Sequence, residues 1–365
     1  MAVISPAKTQ RCAPTTRLLV VSGVNISQKK PQTESTPTVD YTLVIDTFQP
    51  DIIDMQNVHT LMTPAHRVIA RVLGLQWVIA LLAYQRHRDY QAILATGEDI
   101  GLPLAMLLKY TGAQAPLIMT CHNISTRRPT FFLRRLRVGS AVKLFQCLAH
   151  AQASLLQERS ATSANRIQMI YWHVDHSFFR PMPEVPIRKQ ICSAGMAARD
   201  YATLVAATDG LEIDVKIAAD SPWFKHALNI RHDSLSSRVE ARSYESYFML
   251  RQLYAESQVV VVPLLNVNFS AGYTVILEAM AMGKAVIATK IAQRDDFIVD
   301  GWNGLYVRPG DVADLRTKLQ FLIDNPEQAK WLGANARKTI EARFTLDHYL
   351  EHMRAAVAGV ANVPV

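Results

Sequence analysis

Cysteine is scarce in this chain of 365 residues, and the four present, Cys12, Cys121, Cys147 and Cys192, stand far apart. No pair has metal-ligand spacing and no dense disulfide framework can be drawn, which excludes a cysteine-based zinc module or a stapled scaffold. Reduced thiols in a cytoplasmic protein are the expectation. Long apolar runs are missing too. The longest, "VLGLQWVIALLAY" from Val72 to Tyr84, has 13 residues and contains Gln76. It is too short to cross a bilayer and reads as a buried helix. The opening "MAVISPAKTQRCAPTT" has no apolar core of the secretory kind and reads as a flexible leader over 1–16. An Asp-rich metal motif, a short-period repeat and a low-complexity tract are all absent from the sequence.

What is present suits two α/β domains. The length exceeds one typical core, and 49% apolar with 19% charged residues describes a globular chain. The formal net charge of +8 fits an anionic ligand or an anionic membrane surface and does not choose between them. "RLLVVSG", "YTLVID", "PDIIDMQ", "YQAILATG" and "PLIMTCHN" are short runs of the buried-strand type. A helical pattern runs from about Pro64 to Arg88, and "GLPLAMLLKYTGA" is a helix stopped by Gly112. The second half repeats the alternation: strands "QICSAG", "DVKIAAD", "QVVVVPL" and "AVIAT" separate helices, and three helical segments close the chain. Strand and helix in turn mean parallel sheets covered on both faces. The Pro-rich "RPMPEVP", Arg180 to Pro186, reads as the linker. Ligands of such sheets bind at the carboxyl ends of strands, so two sheets facing each other place the chemistry between them.

Four stretches could carry chemistry. In "SAGYTVILEAMAMGKAVIATK", Ser270 to Lys290, the one acid is Glu278. A carboxylate on an apolar helix is either solvated or bound; its two oxygens suit a vicinal diol such as a ribose. Gly272 lets a ligand approach the amides at the helix start, a natural anion site. In "SAGMAARDYATL" a strand ends at Gly195 and Arg199 follows, either a forked donor for a diphosphate or a surface arginine beside a capping Asp200. In "MTCHN" His122 follows a strand directly, at the sheet's carboxyl edge, where it manages a proton or a hydroxyl, or is structural. "STRRPTFFLRRLRVGSAVKLF" sets Arg127, Arg128, Arg134, Arg135, Arg137 and Lys143 among Phe131, Phe132, Leu133 and Leu136. That mixture suits an anionic membrane surface, or a solvated basic helix packed on the core by its apolar side; nucleic acid is the third option.

The order of these motifs resembles the retaining nucleotide-sugar glycosyltransferases of family four, which have the GT-B fold. "SAGYTVILEAMAMGKAVIAT" followed by "VDGWNGLYVRPGD" is similar to that family's two acids with seven residues between them, its "EAMAxGxPVIAT" and its "DGxNGLLVxPGD" turn. "IQMIYWHVDHSFFRP" looks like its interdomain stretch, and "LGANARKTIEARFTLDHYLEHM" like its final helices. The likeness is strong from about Ile167 to His352 and weaker from about Asp89 to His122.

The resemblance implies a GT-B layout: a Rossmann-like acceptor-side domain over 17–178, a nucleotide-sugar domain over 179–345, and a last helix over 346–365 crossing back to the first domain. It implies that Glu278 holds the donor's ribose and that Gly272, Tyr273 and Thr274 face its phosphates, with Gly195 on the neighbouring loop. Arg199 then grips the diphosphate, and His122 reaches the transferred sugar. The donor is a UDP- or GDP-sugar, the acceptor a sugar or lipid-linked hydroxyl, and neither metal nor cofactor is required. Three positions depart from the pattern. Ser270 stands where the first acid is usual, and Met196 where a second base is usual, with only Lys216 or Lys225 to replace it. After the first strand only Gly23 remains of a glycine-rich loop, with little room for the usual first helix. These departures keep a second reading open, a non-catalytic GT-B protein that binds a nucleotide or a partner enzyme. The expected location is the cytoplasm, peripheral to the inner membrane face through the basic segment, without nucleic acid.

Overall fold

A computed structural model describes residues 16–27, 35–160, 162–219, 237–267, 271–291 and 297–361. The leader expected at 1–16 lies, but for its last residue, outside the described residues. Ser270 and Lys225 lie outside them as well.

The chain forms two parallel sheets of six strands each. The first contains β1 (Leu18–Val21), β2 (Asp51–Ile53), β3 (Ala92–Ala95), β4 (Leu117–Cys121), β5 (Leu144–Cys147) and β6 (Ile167–Met169), in the order β2-β1-β3-β4-β5-β6. The second contains β7 (Gln190–Ala194), β8 (Asp214–Ala218), β9 (Val239–Arg242), β10 (Val259–Val262), β11 (Ala285–Thr289) and β12 (Leu305–Val307), in the order β12-β11-β10-β7-β8-β9. Every residue of β1, β3, β7, β10 and β11 is buried, as strands covered by helices on both faces must be. The strand order reverses between β1 and β3 in one sheet and between β7 and β10 in the other. Those two points are where the loops part and leave a crevice.

Two expectations are corrected. "YTLVID" is not a strand: Asp40–Phe48 is a helix joining β1 to β2, so the first helix has room after all. A run of six residues with alternating and adjacent apolar side chains cannot fix its own period. Here Val44 is buried with Leu18 and Val20 of β1 and with Met353 and Val357 of the last helix, and that packing decides. The helix expected from Pro64 to Arg88 is broken. Pro64–Leu73 and Leu75–Arg86 meet at Gly74, whose φ of +95° turns the chain. Thr63 and His66 form a reciprocal capping box at its start.

The closing helix, Leu346–Ala361, buries Tyr349, Met353, Ala356 and Val357 in one cluster with β1, β3 and β4. The helix before it, Pro326–Arg343, belongs to the second sheet. From it Arg337 donates to the carbonyls of His176, Phe179 and Ala281 at 2.9, 3.1 and 2.7 Å, which ties the connecting segment to the second half. Cys121, Cys147 and Cys192 are free thiols buried in the strands. No helix among the described residues is long and apolar enough to cross a membrane.

Candidate functional site

At the reversal point of the second sheet two loops are zipped together. Asp200 donates its amide to the Pro263 carbonyl (3.1 Å) and Leu265 donates to Ala198 (3.0 Å), with Arg199 bridged to Leu264. Gly195 opens the first loop at φ +92°. A side chain there would also strike the Arg199 guanidinium. Arg199 folds back on this loop: Nε donates to the Ala194 carbonyl at 2.8 Å and Nη1 to the Ala197 carbonyl at 2.9 Å. Burial lowers its pKa, against the opposing influence of Tyr201, Tyr254 and Glu278. Asp200 caps the following helix, Tyr201–Thr208, accepting from the Thr203 amide.

Beside this loop the helix Tyr273–Ala281 begins at Gly272, which is left-handed (φ +78°) and gives it no side-chain cap. The helix is buried almost all round because it lies between the strands β10 and β11 and the helix Pro326–Arg343, and Glu278 is buried with it, 4% exposed. The Tyr254 phenol donates to Glu278 Oε2 at 2.8 Å. Burial pushes the Glu278 carboxyl up to about 7, although the Tyr254 bond and the Arg199 charge pull the other way. Burial and the charges of Glu278 and of Tyr41 raise Tyr247. Tyr247 therefore lies within electrostatic reach of both Glu278 and a residue of the first half. Thr274, one turn before Glu278 on the same face, is exposed. The Tyr273 ring instead packs into the core against Phe297 and Trp172, leaving only its backbone at the helix mouth.

On the opposite side, His122 follows β4 directly. Its Nε2 lies 2.9 Å from the Thr96 carbonyl. A carbonyl can only accept, so Nε2 carries a proton. The turn is held by Glu98, whose carboxylate accepts from the amides of His122 (2.9 Å) and Asn123 (2.6 Å). His122 lines a cavity of about 190 Å³ at the carboxyl ends of β1, β3 and β4. Val20, Val44, Leu94, Leu148 and Ile170 make most of its wall apolar, with Asp40 and His173 in it 3.3 Å apart. Burial pushes the Asp40 carboxyl up, but the hydrogen bond and charge of His173, the Tyr41 amide and the charge of His122 together outweigh it and hold it below the usual range.

Trp172 joins the two sides. Its ring meets His122 at 6.1 Å and Tyr273 at 6.2 Å between centroids, both edge to face. The carboxyl edges of the two sheets thus face one another. The structure brings Gly195, Arg199, Gly272 and Glu278 together at one edge and sets His122 across from them. Lys216 is not available to complete the arginine, being paired with Glu240 at 2.7 Å. Sequence reasoning missed Tyr254, Trp172, Asp40 and His173. No local pattern marks a tyrosine on a helix 24 residues upstream as the partner of a buried acid. Asp40 stands just before the segment read as a strand and carries no local signal of its own. In the basic stretch Arg127–Arg134 is α-helical and Val138–Ala141 a short 3-10 turn, and Arg127, Arg128, Arg134, Arg135 and Arg137 are all exposed.

Residues 195–325 match the family model described as "Glycosyl transferases group 1". The chain is 28% identical over 135 residues to an uncharacterized glycosyltransferase of Methanocaldococcus jannaschii, covering 37% of this chain and 38% of that one. It is 26% identical over 214 residues to the MMP alpha-(1->4)-mannosyltransferase of Mycolicibacterium hassiacum, covering 55% and 50%. The chain thus matches half or less of the length of these relatives. In fold it resembles the HepE protein of Anabaena, solved with UDP, with a TM-score of 0.70 at 15% identity over 94% of this chain and 100% of that one. That likeness establishes the two-domain GT-B architecture.

Proposed function

Since residues 195–325 match the glycosyl transferases group 1 model and the chain has a GT-B fold, we propose that the protein is a retaining, metal-independent glycosyltransferase of family four. It moves a hexose from a UDP- or GDP-sugar to a hydroxyl of a sugar or lipid-linked acceptor. The observation that carries the reading is the buried Glu278 beside the uncapped helix start at Gly272, at the reversal point of the second sheet. A buried acid that burial has driven up to about 7 is poised to bind a partner with hydroxyl donors.

In this reading Glu278 accepts from the donor's ribose, and the amides at Gly272 to Thr274 face the diphosphate. The bond between the anomeric carbon and the diphosphate oxygen breaks while the acceptor oxygen bonds to the same face of that carbon. The acceptor's proton passes to the leaving phosphate. Negative charge growing on the diphosphate is met by the helix start and by Arg199, which must turn one arm of its fork away from its own loop. His122 orients the transferred sugar, and the acceptor enters by the apolar cavity beside it. Closing of the halves excludes water. A cytoplasmic site, peripheral to an anionic membrane face, completes the reading.

The second reading, a GT-B protein that binds a nucleotide without transfer, is favoured by Ser270 and by Met196, which stand where an acid and a second base are usual. Incubation with a panel of UDP- and GDP-sugars, with and without acceptors, separates the two. Release of nucleotide that depends on acceptor supports transfer. Binding with no release in any mixture contradicts it.

A further inference from the structure

Residues 55–157 carry eleven Lys and Arg against three acids, Asp89, Glu98 and Asp99, so this stretch alone matches the +8 of the whole chain. From 100 to 157 there is no acid at all. Glu98 adds nothing to the outer field, since it is buried and bound to the amides of His122 and Asn123. The basic surface is also apolar. The helix Pro64–Leu73 packs on the first core through Ile69 and Ala70 and turns Arg67, Val68, Arg71 and Val72 outward in one stripe. Val72 is 76% exposed and Leu73 52%. Nearby, the helix Arg127–Arg134 buries Pro129 and Leu133 and exposes Phe131 by 53%, among exposed arginines. The next helix, Leu75–Arg86, links the two: it follows Pro64–Leu73 directly at Gly74, and in its first turn the Trp77 ring lies 6.4 Å from that of Phe132 between centroids.

We propose that this face, made by the outward sides of Pro64–Leu73 and Arg127–Arg134, docks the first half onto a bilayer containing anionic lipid. Arginines flanking bare valine, leucine and phenylalanine are what an interfacial helix presents, the cations to the headgroups and the apolar tips to the acyl boundary. Nucleic acid would use the arginines but has nothing to do with Val68, Val72 and Leu73. Tyr110, 62% exposed with its hydroxyl 3.4 Å from the Leu136 carbonyl, adds an aromatic ring of the interfacial kind on the adjoining helix. The inference deepens the membrane part of the proposed function and does not depend on sugar transfer.

The test is sedimentation of the whole chain with vesicles of phosphatidylcholine alone or mixed with phosphatidylglycerol, at low and high salt. Calorimetry with UDP in solution runs alongside. The wild type sediments with the mixed vesicles at low salt, much less at high salt, and not with phosphatidylcholine alone. Arg67→Glu/Arg71→Glu reduces the partitioning about fivefold or more per arginine lost. Val72→Ser/Phe131→Ser reduces it at least tenfold, and both double variants keep the UDP response of the wild type. The proposal is overturned if the wild type stays in the aqueous phase with anionic vesicles at low salt, or if both double variants bind as the wild type does. A wild type that binds vesicles but not UDP counts against sugar transfer and leaves the docking face standing.

Discussion

The Tyr254 phenol donates a 2.8 Å hydrogen bond to the Glu278 carboxylate across two helices of the second half. Both side chains are buried, so the bond offsets part of the cost of holding a carboxylate in the core. Tyr254→Phe keeps the ring and removes the bond. It is expected to cost about 1–3 kcal/mol and to push the Glu278 carboxyl higher still. Urea unfolding at neutral pH checks this; a variant as stable as the wild type would show that the bond is not needed.

Glu278 gives stability a direction in pH. Its carboxyl releases its proton at about 7 in the fold and near 4.5 when unfolded. Between those values the folded chain holds a proton that the unfolded chain has lost, so this group's contribution falls as pH rises through the window, by about 3 kcal/mol at most. Glu278→Gln removes that slope. Differential unfolding of the two proteins across the window reads it, and parallel curves would contradict the assignment. Hydroxyl donors favour the ionised acid, so nucleotide-sugar affinity in the wild type should rise with pH through about 7 and be flat in Glu278→Gln.

Gly195 supports Arg199. Gly195→Ala puts a side chain at φ +92° and into the guanidinium. The expected cost is about 1–3 kcal/mol of backbone strain, with Arg199 displaced. If Arg199 serves the diphosphate, UDP should bind at least tenfold more weakly while uridine binding changes little. Equal losses for both would point to a general collapse of the loop.

His122→Ala should lower the transfer rate about a hundredfold through misplacement of the sugar, with the Michaelis constant for the donor little changed. A rise in that constant with the rate preserved would place His122 in donor binding alone.

The alternation of strands and helices was legible because buried parallel strands such as "VVVV" of β10 and "AVIAT" of β11 announce themselves, and because Gly112 and Asp200 mark helix ends. "YTLVID" was not legible: its packing against β1 and against the last helix, some 300 residues on, decides its period. β9, "VEAR", is half-buried at the sheet's edge and lacks an apolar run. Within the site, Glu278 stood out as one acid among apolar residues. Tyr254, Trp172 and the Asp40–His173 pair did not, since each acts through a partner distant in sequence.

Calorimetric titration of UDP-glucose and of GDP-mannose into wild type and Glu278→Ala bears most directly on the proposal that Glu278 and the Gly272 helix start hold an activated sugar. The wild type should bind one of the two, and Glu278→Ala should bind it at least tenfold more weakly while remaining folded at the temperature of the titration. Unchanged affinity in Glu278→Ala would contradict the proposal.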